Sequence, residues 1–115
     1  MTIRGDINQL QDVPLPQWAS SLTDADQQEV DSYSQQFTDE LMSAEVIFDA
    51  DTAVVEFTHK NPMHARLHGS EKAERKLGNW VNLRLFERGA PEYVYEHERA
   101  IINGIFRKLR EAHNG

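Results

Sequence analysis

Three histidines near the middle of the chain form the pattern closest to a metal site. His64 and His68 lie four residues apart, a spacing that places two imidazoles on one face of a helix. His59 precedes them at the end of a predicted strand, so the three residues could bind zinc or iron. Gly69 would interrupt that helix, and a solvated helix surface explains the same spacing. We therefore expect no cofactor, and a histidine-based metal-binding enzyme stays an alternative function.

Other signatures of catalysis are missing. The chain contains no cysteine, which excludes thiolate nucleophiles and cysteine-based zinc sites. It has no glycine-rich phosphate loop and no Gly-x-Ser-x-Gly element. The run Asp49-Ala50-Asp51 lacks the glycine and the closing glutamate of a calcium loop. We expect no catalytic residues, and the leading interpretation is a protein that is not an enzyme.

Charge is distributed very unevenly along the chain. Residues 1–58 contain twelve acids and one base, whereas residues 59–115 contain seven acids and eleven bases. Such asymmetry can present an acidic face to a basic partner protein, can imitate a nucleic-acid backbone, or can let the two halves attract each other within the fold. The acids that we predict for binding a partner are Asp24, Asp26, Glu29, Asp31, Asp39 and Glu40.

Basic residues on the last predicted helix form the second candidate surface. They could contact nucleic-acid phosphates, and they are Arg99, Arg107, Lys108 and Arg110. The preceding predicted helix adds Lys72, Arg75 and Lys76. Glutamates interleave with these bases, and the net charge of the chain is −7. A nucleic-acid-binding accessory factor is therefore the main alternative function.

A tryptophan ends a proline-rich stretch near the N-terminus, Val13-Pro14-Leu15-Pro16-Gln17-Trp18. Each proline fixes φ and removes an amide donor, which favours an extended segment. Trp18 could dock into a groove on a partner, although such a segment more often folds back to cover its own core. We expect residues 1–21 to form an irregular N-terminal arm and residues 22–115 to form one α+β domain.

Helix and strand patterns follow the arm. The first helix should begin at Thr23 or Asp24, where either side chain can cap it, and end near residue 43. Its apolar stripe comprises Val30, Tyr33, Phe37 and Leu41. Residues 46–48 and 53–57 predict a β-hairpin with a turn at 49–52. Its edges should be paired or covered, which favours a homodimer or other homo-oligomer as one possibility.

Helices dominate the rest of the predicted fold. Asn61-Pro62 is a strong helix start, and a longer helix is predicted from Glu71 to about Arg88. The run Gly89-Ala90-Pro91 should end it and begin a last helix that extends to His113. Because so short a connection makes neighbouring helices antiparallel, we predict a C-terminal helical hairpin.

Two charged residues fall inside the apolar arcs of this predicted hairpin. Arg84 lies in the arc of its first helix, and Glu98 lies in the arc of its second. In an antiparallel pair their heights would differ by about 5 Å, which an arginine side chain spans. We predict a buried structural ion pair, Arg84–Glu98, whose half-removal would cost about 3–5 kcal/mol. Binding of an anion by Arg84 is the alternative.

Length and hydropathy complete the expectations. A chain of 115 residues suits one domain with one modest core. It has neither the roughly 20-residue apolar run of a membrane span nor a basic and apolar export segment, so we expect a cytoplasmic protein. The leading interpretation is a small acidic accessory or inhibitory protein that binds another protein, of the kind found in bacteria and phages.

Overall fold

The computed structural model describes residues 1–58 and 72–115, which form four strands and three α-helices. This confirms the predicted α+β class. The strands are β1 (Thr2–Arg4), β2 (Val46–Asp49), β3 (Val54–Thr58) and β4 (Lys72–Lys76). The α-helices are α1 (Asp24–Ser43), α2 (Leu77–Glu87) and α3 (Glu98–Asn114). Short 3-10 helices span Ile7–Gln9, Gln17–Ser21 and Glu92–His97.

The strands form one mixed sheet in the order β1-β2-β3-β4. The predicted hairpin is confirmed, because Val46 pairs with Phe57 and Asp49 with Val54 in an antiparallel register. β1 pairs with β2 in parallel, and α1 supplies the crossover that parallel neighbours require. The two edges of the hairpin are therefore covered within the same chain, one by β1 and the other by β4.

The N-terminal arm is more ordered than predicted. Residues 2–4 form β1, and Ile7 is fully buried in the hydrophobic core. The expectation of an irregular arm was therefore wrong for its first ten residues. A strand of three residues is too short to show a repeating apolar pattern in sequence, so its pairing with β2 decides its structure.

Helix α1 begins and ends where its sequence predicts. The Thr23 side chain accepts a hydrogen bond from the Asp26 amide at 3.1 Å, and the Asp26 carboxylate accepts one from the Thr23 amide at 3.3 Å. These reciprocal bonds form a capping box. Val30, Phe37 and Leu41 of the predicted stripe are buried, and Tyr33 is partly buried against the same core.

The helix predicted from Glu71 to Arg88 is only partly present. Residues 72–76 instead form β4, which pairs antiparallel with β3 from Thr58–Lys72 to Val54–Lys76. The remaining residues 77–87 form α2. Pairing satisfies the backbone groups along the outer edge of β3, and this tertiary gain outweighs the local preference for helix.

Helices α2 and α3 do not form the predicted antiparallel hairpin. Residues 88–97 separate them, and this connection contains the 3-10 helix Glu92–His97. A Cβ atom added at Gly78, in the first turn of α2, would lie 3.5 Å from Ile102 in α3. The beginnings of the two helices therefore lie close together. The connection of residues 88–97 is long enough to run back from the end of α2 to its beginning.

Helices α1 and α3 pack closely at one small residue on each. The Ser34 hydroxyl is buried and donates to the Val30 carbonyl at 2.7 Å or to the Ile101 carbonyl at 3.2 Å. A Cβ atom added at Gly104 would lie 2.7 Å from the Ser34 Cβ, nearer than two nonbonded carbon atoms approach. Gly104 therefore sets the separation of the two helices.

Candidate functional site

Helix α3 holds the backbone of the N-terminal arm with polar side chains. The Asn103 amide accepts a hydrogen bond from the Val13 N–H at 2.7 Å and donates one to the Val13 carbonyl at 2.9 Å. Arg99 donates to the Pro14 carbonyl at 3.3 Å, and Arg110 donates to the Leu10 carbonyl at 3.0 Å. These contacts fix residues 10–14 in place along α3.

The residues just after this clamp expose their apolar side chains. Leu15 is 41% exposed and Trp18 is 56% exposed. The preferred expectation, that Trp18 covers the core of its own domain, is therefore wrong. The arm instead contributes Ile7 to the core, with Leu10 and Val13 partly buried against it. We call the hydrogen bonds from Arg99, Asn103 and Arg110 to residues 10–14 the clamp. We call Asn103 together with the two exposed side chains, Leu15 and Trp18, the arm site.

We expect Asn103→Ala to loosen the arm without unfolding the domain. The variant leaves the N–H and the carbonyl of Val13 without their partner, which should lower the free energy of unfolding by about 1–2 kcal/mol. Hydrogen exchange at the Val13 amide should become about tenfold faster or more. Asn79→Ala, at an exposed asparagine of α2, is the matched control. Equal exchange rates in both variants would show that Asn103 does not hold the arm.

Three of the six predicted partner-binding acids face the segment between α2 and α3. Asp26 lies 3.8 Å from the buried His97 imidazole. Glu29 accepts a hydrogen bond from the Tyr93 hydroxyl at 3.0 Å, and this bond together with the carboxylate charge raises the pKa of the Tyr93 phenol. Glu40 lies 2.6 Å from the Arg88 guanidinium. These acids join α1 to the segment from α2 to α3.

The other three predicted acids lie on exposed parts of α1. Asp31 accepts a hydrogen bond from Gln27 at 3.2 Å and lies 3.6 Å from Arg107. Asp39 accepts a hydrogen bond from Gln35 at 2.8 Å. Asp24 is exposed in the first turn of the helix. All three carboxylates therefore lie on the solvent-exposed side of α1.

The predicted nucleic-acid-binding bases are largely engaged within the fold. Arg99 and Arg110 hold the arm, Arg107 faces Asp31, and Arg110 also lies 3.5 Å from Asp12. Lys108 is partly exposed. Arg75 and Lys76 belong to strand β4 rather than to a helix, so no continuous basic helical face joins the two groups. Ion pairs of Asp12, Asp31 and Glu40 with arginines therefore join the acidic first half to the basic second half.

The predicted Arg84–Glu98 ion pair does not form, and Arg84 pairs instead with Glu40 and Glu87. Arg84 lies 3.3 Å from Glu40 and 2.7 Å from Glu87, and its side chain is 26% exposed. Its guanidinium also lies 5.3 Å from the centre of the Trp80 ring. The Glu98 carboxylate lies against Gly78, in the first turn of α2. The prediction was wrong because it assumed a three-residue connection between the helices.

The histidine motif lies outside the described residues. His59, His64 and His68 all fall in residues 59–71, between β3 and β4. Among residues 1–58 and 72–115, no group of three or more metal-binding side chains lies close enough together to hold an ion. In those same ranges, no helix is both long and apolar enough to cross a membrane.

Three residues of interest escaped sequence reasoning. Asn103 lies between the buried Ile102 and Gly104, so a polar residue within an apolar arc was its visible signal. Leu83 and Phe86 are exposed on α2, and Phe86 is 77% exposed. The spacing of Leu83 matches that of the core residues Trp80 and Val81, so the sequence alone does not mark it as exposed. The angle at which α2 meets the core decides its exposure, and sequence does not reveal that angle.

The comparisons with known proteins add no family to this geometry. No family model matches the chain, no curated protein matches it and no solved structure matches it. The arm site is therefore interpreted from its own contacts and exposure.

Proposed function

We propose that this is a non-catalytic interaction protein that binds another protein through Leu15 and Trp18 of the arm site. The observation that carries the proposal is a tryptophan, 56% exposed, on a segment whose neighbouring backbone is clamped to α3. Because residues 10–14 are held just before Leu15, the segment that carries Leu15 and Trp18 has less conformational freedom to lose on binding than a free tail, which favours affinity. Tryptophan is also among the residues that contribute most to protein interfaces.

The chemistry of the arm site indicates the kind of partner. Leu15 and Trp18 require an apolar pocket, and two prolines stiffen the segment that carries Leu15. Asp24 follows Trp18 by six residues and is exposed at the start of α1. Basic residues around the partner's pocket would attract the Asp24 carboxylate and raise the association rate. An accessory or inhibitory protein acts in this way, by occupying a surface of its partner.

Photocrosslinking followed by affinity measurement tests the proposal. A photoreactive phenylalanine at position 18 should form an adduct with one protein in extracts of the source cells. The same amino acid at position 86 provides a comparison on α2. The partner is then purified, and calorimetry measures its binding to the wild type, Trp18→Ala and Phe86→Ala.

We expect Trp18→Ala to weaken binding by about 2 kcal/mol or more, which is about 30-fold in Kd. Phe86→Ala should leave Kd within about twofold, although it removes a more exposed aromatic ring. Both variants should keep wild-type stability, because neither residue belongs to the core. A partner that binds Trp18→Ala normally, or that loses affinity only for Phe86→Ala, would exclude the arm as its binding site.

A further inference from the structure

We propose that two copies of this chain can exchange their N-terminal arms, so that residues 1–14 of each copy occupy the site on the other that they occupy on their own. The inference does not rest on the proposed partner protein. It rests on where the arm makes its contacts, on the segment that links the arm to α1, and on the apolar side chains of that segment.

The contacts of the arm are with distant parts of the chain. β1 pairs with β2, and the N-terminal amine donates to the Met42 carbonyl at 3.2 Å. Asn8 and Asn114 exchange amide hydrogen bonds, and the shorter measures 2.7 Å. The Arg4 guanidinium also lies 3.4 Å from the Glu56 carboxylate. Together with the clamp at residues 10–14, these partners lie in residues 42–56 and 99–114. A second copy presents the same partners to an arm that reaches it.

Residues 15–23 form the segment that would have to reopen. It contains Pro16, whose backbone is extended with φ −59° and ψ 150°, and the five-residue 3-10 helix Gln17–Ser21. Proline fixes φ and stiffens an extended path. Opening the segment disrupts the short 3-10 helix, an interaction of Gln17 and the contact of Leu22 with the core. The arm itself can keep its structure and its contacts when the segment opens.

Exchange would also cover apolar surface that the closed chain leaves exposed. In the closed chain, Leu15 and Trp18 lie within this linking segment and are 41% and 56% exposed. In an exchanged pair the two linking segments run past each other, so these side chains can contact their counterparts. The contacts of the arm are the same in the closed chain and in the exchanged pair. The equilibrium between them therefore depends on the added burial of Leu15 and Trp18, which favours exchange, and on the high local concentration of the chain's own arm, which favours the closed chain.

A cysteine pair distinguishes the closed chain from the exchanged pair. The chain has no cysteine, so Asn8→Cys with Asn114→Cys introduces only two thiols, at residues whose side chains are in contact. The variant is incubated at low and at high concentration, diluted, and linked at once with a short bis-maleimide. A denaturing gel then shows whether the linker joins residues of one chain or of two. Light scattering measures the mass before linking.

Arm exchange predicts covalent dimers that increase with the concentration of the incubation and that come from a dimer-sized species. Adding Leu15→Ser and Trp18→Ser should lower the dimer fraction about tenfold, because the apolar contact between linking segments is lost. The single variants Asn8→Cys and Asn114→Cys control for chance collisions. Linking within one chain at every concentration, even in a species of dimer mass, would overturn the proposal. Covalent dimers that are equally abundant in the single-cysteine controls would also overturn the proposal.

Discussion

Replacing Phe37 with alanine should lower the free energy of unfolding by about 3–5 kcal/mol, a large part of the total stability of a small domain. Phe37 is fully buried on α1. Its ring stacks with Tyr33 at 5.8 Å, meets Trp80 edge-on at 5.8 Å and lies 4.7 Å from the Arg88 guanidinium. Removing it leaves a cavity where α1 meets α2 and also ends these ring contacts.

Phe86→Ala is the matched control, because it removes the same side chain from an exposed position on α2. Its free energy of unfolding should stay within about 0.5 kcal/mol of the wild type. Urea denaturation followed by tryptophan fluorescence measures both variants, since the buried Trp80 becomes exposed on unfolding. Similar losses in the two variants would mean that the packing between α1 and α2 is not as described.

Gly104→Ala should destabilise the protein by about 2–3 kcal/mol, although alanine is the better helix former. Helix propensity alone predicts a gain of about 1 kcal/mol for this change in α3. The added methyl group, however, would overlap the side chain of the buried Ser34 on α1. The two helices would have to separate and give up core contacts. The sign of the measured change therefore shows whether close packing outweighs propensity.

A second glycine and a compensating variant test this explanation. A Cβ atom at Gly78 meets mainly the flexible end of the Glu98 side chain, so Gly78→Ala should be neutral or stabilising by up to about 1 kcal/mol. Adding Ser34→Gly to Gly104→Ala restores the space between the helices. The double variant should show a favourable coupling of at least about 1 kcal/mol. Without coupling, the loss has a cause other than the contact with Ser34.

Elements with local signals were predicted well. The cap at Thr23 and the stripe through Phe37 located α1, because capping and a helical repeat each depend on neighbours within a few residues. The β2–β3 hairpin was located by two β-branched runs and a short turn. Strands β1 and β4 were missed because each forms by pairing with a partner distant in sequence.

The candidate site was predicted only in part. The proline-rich composition identified the stretch around Trp18, and the charge counts identified an excess of acids on α1. Neither could show that α3 clamps the arm, since the hydrogen bonds between Asn103 and Val13 join residues ninety positions apart. Nor could they show that Glu40 and Asp31 face arginines of the second half. Those pairings depend on how the helices lie against one another.

The amino-acid sequence by itself determined the α+β class, the position of α1, the β2–β3 hairpin and the opposite charges of the two halves. These properties follow from composition and from interactions between near neighbours. Only the tertiary structure decided the four-stranded sheet, the path from α2 to α3, the partner of Arg84 and the exposure of Trp18. Each of these depends on contacts between residues far apart in sequence, whose free energies become available only when the whole core assembles.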